Sequence, residues 1–288
     1  MAIKLIAFDL DGTLLDDDKR LPPENLTALR AAHDAGVLLV PATGRILKAI
    51  PEDLLALGLF RYFILANGAD VCDLETGRTL YQAYIAPDLA VRFCEYMDRL
   101  PVLYDCYRGD SGYMTAWMYE KAPEYFELEP HILKLVRSLR VPVPDLKQMI
   151  LEDGLPLGKL QMFFMPEQAD ERARQLLEVP KRFPELIASS SLRNNIEVNS
   201  ARAGKGNALR ALCRELQIDC ADCAAFGDGL NDADMLRVAG RGCAVANAAP
   251  PVKEAADVIV GNNNDAGVGK EILSILRNLH TRDGRFLV

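Results

Sequence analysis

The stretch "AFDLDGTLLDDD", residues 7–18, sets five aspartates within ten positions directly behind the apolar run Ile3–Phe8. Ile3–Phe8 reads as a buried strand, and a buried strand should not run into stacked negative charge. Two unit charges about 4 Å apart repel by roughly 4 kcal/mol at an effective dielectric of 20. Either these carboxylates face water, or something positive sits between them.

Outward from this strand, the first ninety residues alternate short apolar runs with helical patterns. Glu24–Ala35 reads as a helix closed by Gly36, and Val37–Val40 and Tyr62–Ala66 read as strands. The same grammar returns near the end, with a helix over Asn207–Leu216, a strand at Cys223–Phe226, a helix from Asn231, and short runs at Cys243–Ala246 and Val258–Val260. Such alternation predicts an α/β chain, a doubly wound, mainly parallel, Rossmann-like core sheet.

Between these halves the texture changes. Residues 83–190 hold most of the aromatics, with extended stretches "PVLYDCY", "GYMTAWMY", "LQMFFMP" and "ELIASS" separated by helical patterns over Pro87–Leu100 and Glu167–Leu177. This predicts an inserted α+β domain over 83–190, with 1–82 and 191–288 forming the core and hinges near 83–86 and 190–195. An insertion of that length is an ordinary domain size.

Composition narrows the function. The chain has 288 residues, half of them hydrophobic, and a formal net charge of −8, which argues against the basic face that a nucleic-acid binder needs. Asp9 comes too early for a signal peptide and no apolar run approaches the roughly 20 residues of a membrane span, so the expectation is a cytoplasmic protein with no membrane partner. Seven scattered cysteines do not make a secreted disulfide scaffold. Cys220-Ala-Asp-Cys223 has no second pair to complete a zinc site, and Cys223 reads as the start of a strand. His33, His131 and His280 share no ligand spacing and take no role.

In open parallel sheets ligands bind beyond the carboxyl ends of the strands. Asp9 follows Phe8 at such an end, Asp11 lies two residues on, and Gly12 lets the chain turn away. A second acidic cluster, "FGDGLNDADM" (226–235), also follows an apolar strand, with Asp228 between glycines and Asn231 and Asp232 opening a helix. Asp16, Asp17, Asp18 and Asp234 read as solvated acids or favourable residues of a helix start. Asp9, Asp11, Asp228 and Asp232 gathered in one crevice would need a cation, and oxygen-only ligands point to Mg²⁺. Two further segments supply the complement. "VPATGR" (40–45) offers Thr43, Gly44 and Arg45, and "AGKGNALRAL" (203–212) sets Lys205 at a helix start that favours an anion. Neither a Walker P-loop nor a dinucleotide fingerprint is present: Asn199 stands where the P-loop needs its first glycine, and "GDGLND" lacks the third glycine of the fingerprint.

With these motifs in this order the sequence resembles the haloacid dehalogenase superfamily of phosphatases, in particular its Cof-type members (subclass IIB) with a large α/β cap. Asp9-Leu-Asp11-Gly-Thr-Leu resembles the first family motif, Thr43-Gly-Arg the second, Gly-Lys205-Gly the third and Gly-Asp228-Gly-Leu-Asn231-Asp232 the fourth. "ILANGAD" (64–70) and "NNNDAGVGKEI" (262–272) resemble accessory stretches. The resemblance implies Asp9 as nucleophile through an aspartyl-phosphate and Asp11 as general acid, then base. It implies Mg²⁺ held by Asp9, Asp11 (through its backbone carbonyl) and Asp228, with Asp232 either a further ligand or standing behind the ligands, and Thr43 and Lys205 on the transferring oxygens. Thr43, Gly44, Arg45, Asn67, Lys205 and Asn231 become the substrate-binding candidates. The expected function is Mg²⁺-dependent hydrolysis of a small phosphorylated metabolite, a sugar phosphate or phosphorylated cofactor, by a monomer or homodimer. A phosphomutase or phosphotransferase of the same superfamily is the alternative, and an idle binding protein is set against by all the motifs being present. Within the inserted domain Trp117, Tyr113, Tyr119, Arg108 and Lys159 are candidates for a pocket lining, but packing is the better account of most of them.

Overall fold

The computed structural model describes residues 3–126 and 130–282; the side chains of 127–132 and 278–288, His131 and His280 among them, fall outside that description. The chain forms two compact units, one of Met1–Gly44, Ile50–Gln82 and Gly204–Val288, the other of Arg45–Ala49 and Ala83–Ala203.

The first unit is built on a five-stranded parallel sheet in the order Val258–Val260, Arg241–Val245, Cys223–Gly227, Leu5–Phe8, Leu38–Pro41. Leu5–Phe8 lies at full burial between two neighbours, which is why it reads as an unbroken apolar run rather than an alternating one. Phe8 pairs with Phe226 on one side and Pro41 on the other, so three neighbouring strands end level with one another. A three-stranded antiparallel sheet, Tyr62–Leu65, Asp70–Asp73 and Arg78–Gln82, completes this unit.

The helix Pro23–Asp34 packs on Gly267–Arg282 through a buried asparagine. Asn25 Nδ2 donates to the Leu14 carbonyl at 2.7 Å, and Asn25 Oδ1 accepts the Gly269 N–H at 2.7 Å. Both polar ends are satisfied, so the amide stabilises the junction rather than costing desolvation. Asn263 makes a parallel clasp, donating to the Leu15 carbonyl and the Asp17 carboxylate, each at 3.1 Å. "NNNDAGVGKEI" therefore ties the start of the helix Gly267–Arg282 to the loop behind Asp9.

The second unit holds a six-stranded sheet in the order Leu186–Ser189, Asn195–Ser200, Lys159–Phe163, Leu103–Arg108, Ser111–Thr115, Arg140–Val143. All pairings are antiparallel except the last. Period-two alternation sorts its faces: Tyr104, Cys106, Leu160, Met162, Ile196 and Val198 join the unit's apolar core. Asp105, Tyr107, Lys159, Gln161, Asn195, Glu197 and Asn199 take the other face and are buried there. Arg140 Nε donates to Asp105 Oδ2 at 2.7 Å and Lys159 Nζ to Glu197 Oε1 at 2.9 Å, which is what makes such burial tolerable.

Three local expectations differ from this architecture, and the favoured packing reading of Lys159 and Arg108 agrees with it. "NIEVNS" (195–200), assigned to the core segment from its position beyond 191, is a strand whose Asn195–Val198 pair with Phe163–Leu160. The second unit thus runs to Ala203. The hinge candidate 190–195 is the turn into that strand and its first residue, with Asn195 Oδ1 accepting the N–H groups of Ser191 and Leu192. "GYMTAWMY" is only half extended: Thr115 ends the strand and caps a helix over Ala116–Tyr125, leaving Trp117 63% exposed. Lys159 is buried against Glu197, and Arg108 pairs with Asp153 and stacks 5.0 Å from the Tyr113 ring centroid. No helix among the described residues is long and apolar enough to cross a membrane.

Gly269 tests the Asn25 junction. A Cβ there would lie 2.7 Å from Asn25 Oδ1 and 2.9 Å from the Asn25 Cα. Gly269→Ala should therefore lower unfolding stability by about 1–3 kcal/mol. Urea denaturation checks this; an unchanged midpoint would contradict the packing described.

Candidate active site

Asp9 is placed by the sheet. Its N–H donates to the Phe226 carbonyl at 3.0 Å, so Asp9 leaves the sheet beside the strand that delivers Asp228. Gly12 then turns back at φ +80°, and a Cβ there would lie 2.8 Å from Asp228 Oδ2. Both the left-handed turn and the close approach demand glycine. Thr13, fully buried, donates its hydroxyl to Asp228 Oδ1 at 2.7 Å.

Lys205 enters from the start of the helix Lys205–Glu215. Its side chain is completely buried, and Nζ donates to Asp9 Oδ1 at 2.6 Å and to Asp232 Oδ1 at 2.5 Å. Asp232 spends its other oxygen on the chain beside it, accepting the N–H groups of Asp228 at 3.0 Å and Gly229 at 2.9 Å. Gly227 has to be glycine for that loop to close, because a Cβ would fall 2.3 Å from the Asp232 Cβ. One oxygen from each of Asp9, Asp228 and Asp232 lies within 4.8 Å of the others.

Three carboxylates against one ammonium leave two negative charges in a buried place. Burial, opposed by Lys205 and reinforced by the neighbouring aspartates, raises Asp9 well above the usual carboxylate range. Burial and the adjacent Asp232 push Asp228 up to about 6, with the Thr13 hydroxyl pulling the other way. Lys205 is raised above its ordinary value because Asp232 and Asp9 outweigh its desolvation. An oxygen-only donor set with two surplus negative charges fits a small hard divalent cation such as Mg²⁺. Asp9 and Asp228 each retain a second oxygen beyond those engaged by Lys205 and Thr13. Asp232 has both oxygens engaged, so it holds the loop and the lysine first.

The remaining expected residues fall into two groups. Asn231 Nδ2 donates to Asn67 Oδ1 at 3.0 Å, joining two substrate-binding candidates 164 residues apart. Asn67 adopts φ +59°, which asparagine tolerates better than most residues, and its N–H donates to the Thr43 carbonyl at 3.0 Å. Thr43 itself is buried, its N–H on the Ile64 carbonyl at 2.9 Å, and Gly44 follows at the end of that segment of the first unit. Arg45 belongs to the second unit, where Nη1 donates to the Ala49 carbonyl at 2.9 Å.

Asp11 is half-buried and its carboxylate is not one of the three that converge. Instead Lys19 Nζ lies 3.1 Å from Asp11 Oδ1, a cation absent from any argument that rests on like charges alone. Asp234 stands in the first turn of the helix Ala233–Val238, as a helix-start acid should, and it does more than face water: Oδ2 accepts the Gly206 N–H at 3.0 Å, and burial raises its pKa. Thr13, Lys19 and Asp234 are the contributors that sequence reasoning misses. Thr13 carried a signal, standing between Gly12 of the first acidic cluster and the apolar Leu14; Asp234 was legible only as a helix-start acid, and Lys19 carried none.

A haloacid dehalogenase-like hydrolase family model matches residues 6–272. The chain is 31% identical to phosphatase YwpJ of Bacillus subtilis, over 95% of this chain and all of that protein. It is 32% identical to the 5-amino-6-(5-phospho-D-ribitylamino)uracil phosphatase YcsE of the same organism, over 94% of each. Among solved structures, a haloacid dehalogenase-like hydrolase from B. subtilis superimposes with a TM-score of 0.78 at 29% identity, covering 93% of this chain and 98% of that one. The order of motifs, the parallel sheet that brings Asp9, Lys205 and the Asp228 loop together, and these likenesses agree: the chain belongs to the haloacid dehalogenase-like hydrolases, among their Cof-type phosphatases.

Proposed function

We propose that this phosphatase hydrolyses a small phosphomonoester through an aspartyl-phosphate on Asp9, with Mg²⁺ as its cation. The observation that carries the reading is Lys205 Nζ bridging Asp9 and Asp232 within a cluster that retains surplus negative charge. A carboxylate held against a buried ammonium is an oriented nucleophile that needs no base to activate it. Asp9 and Asp228, with the backbone carbonyl of Asp11, would hold the metal, which when bound supplies positive charge for the phosphoryl oxygens.

In the first step an Asp9 oxygen bonds to phosphorus and the bond to the leaving oxygen breaks. Asp11 gives its proton to that oxygen, so the product leaves as an alcohol. In the second step Asp11 takes a proton from water, the water oxygen bonds to phosphorus, and the Asp9 acyl-phosphate bond breaks to release phosphate. Lys205, Thr43 and the amides around Gly44 stabilise the transferring oxygens. Asn67 and Asn231 act as a joined pair contacting substrate. Residues 83–203 form the cap, which distinguishes one phosphorylated metabolite from another. The B. subtilis relative that acts on a ribitylaminouracil phosphate supports the class of substrate, a small polar molecule carrying one phosphate.

Two outcomes test this. Phosphate release from a panel of sugar phosphates, phosphorylated cofactors and p-nitrophenyl phosphate should require Mg²⁺, stop on adding EDTA, and fall by about a thousandfold or more in Asp9→Asn. Release at full rate in Asp9→Asn would remove Asp9 from the chemistry, whereas transfer to a second hydroxyl compound without free phosphate would indicate a mutase.

The second outcome concerns pH. Because Asp228 is raised to about 6 and Asp9 is raised as well, the metal-free folded protein holds protons that the unfolded chain releases near pH 4. It therefore loses stability as pH rises from about 4 through about 6, and a cation that neutralises the cluster restores it. Saturating Mg²⁺ should raise the melting temperature by roughly 2–5 °C at pH 7.5 and by clearly less at pH 5. Equal shifts at both pH values, read by differential scanning fluorimetry, would contradict the assignment.

A further inference from the structure

The helix that carries Lys205 starts without a cap of its own. Its N-cap position is Gly204, which has no side chain to accept the first-turn amides. The acceptor comes from another helix. Asp234, on Ala233–Val238, takes the Gly206 N–H on Oδ2 at 3.0 Å. The glycines on either side of Lys205 record how tightly the two helices meet there. A Cβ on Gly204 would lie 2.7 Å from Asp234 Oδ2, and one on Gly206 would lie 2.7 Å from the Asp234 carbonyl oxygen.

The same short segment thus grips Lys205 at both ends. Asp232 Oδ1 accepts from Nζ, and two residues later Asp234 accepts from the backbone next to the lysine. A lysine side chain has several rotatable bonds, so holding Nζ between Asp9 and Asp232 depends on the backbone being fixed as well as the tip. Functional constellations need positioning within about 0.5 Å, which a frayed first helical turn does not provide. We infer that Asp234 is a positioning residue for Lys205, capping the lysine helix from outside so that the ammonium stays between its two carboxylates. The acceptor is what matters, so asparagine should substitute and alanine should not.

The test compares wild type with Asp234→Ala and Asp234→Asn. Amide exchange at Gly206 and the Lys205 ammonium signal, both by NMR, read positioning without turnover; p-nitrophenyl phosphate with Mg²⁺ reads kcat and KM, and only this arm rests on the phosphatase reading. In Asp234→Ala, Gly206 exchange should quicken by about tenfold, with Leu209 and Leu212 unchanged, and the Lys205 ammonium signal should broaden or disappear. Its kcat should fall by about ten- to a hundredfold with KM within about twofold. Asp234→Asn should keep Gly206 protection and stay within about threefold of wild-type kcat. Unchanged exchange in Asp234→Ala, faster exchange with an undisturbed ammonium signal, a rise in KM at constant kcat, or an asparagine variant as impaired as the alanine one would each overturn the assignment. If Asp234→Ala does not fold, Asp234→Asn decides alone, and loss of Gly206 protection in it overturns the assignment. No turnover by the wild type would count against the phosphatase reading while the NMR arm still judges Asp234.

Discussion

Everything at the candidate site hangs on one buried ammonium. Lys205 is wholly inaccessible and is shared by Asp9 and Asp232. Taking either partner out of water alone costs several kcal/mol, and only close pairing offsets that. Removing the lysine would leave Asp9 without its ammonium and Asp232 with only the Asp228 and Gly229 amides; removing either carboxylate would leave the ammonium half-satisfied. The cluster therefore behaves as a unit. Its remaining negative charge fits a divalent cation, and the buried ammonium with room for such a cation answers why a buried strand should run into aspartates at all.

The fold makes this arrangement through close approach. Parallel pairing brings the ends of Leu5–Phe8 and Cys223–Gly227 level, so Asp9 and Asp228 emerge side by side. The loops that follow then pack closer than side chains permit. A Cβ on Gly68 would fall 2.2 Å from the Gly204 carbonyl oxygen, which presses the Asn67 turn onto the start of the lysine helix. Gly12, Gly227, Gly204 and Gly206 serve the same end against Asp228, Asp232 and Asp234. The glycines here are less about flexibility than about letting charged groups converge.

That distinction explains what could be read in advance. Asp9, Asp228, Asp232 and Lys205 were legible because each stands at the end of an apolar run or the start of a helical one, among glycines, and the parallel α/β pattern says which ends meet. Asp234 was not, because nothing local says that a second acid in "NDADM" faces the amide of a glycine 28 residues earlier. Lys19 on Asp11 depends in the same way on how one loop folds back. The strand Asn195–Ser200 was misassigned for a related reason. Its polar residues alternate with Ile196 and Val198, and the polar face is buried through the Glu197 ion pair with Lys159 and a hydrogen bond from the Gln161 amide rather than through apolarity. Such a face has the alternation of an exposed strand and gives no sign of its partners.

The central claim is that the Asp9 carboxylate becomes covalently phosphorylated. The most direct measurement is reductive trapping: the enzyme is quenched during turnover with Mg²⁺ and its best substrate, treated with borohydride, digested, and its peptides weighed. The account predicts that the peptide containing Asp9 carries a reduced side chain, homoserine in place of aspartate, only when substrate and Mg²⁺ are both present. Reduction at another residue, or none in an enzyme that is releasing phosphate, would contradict it.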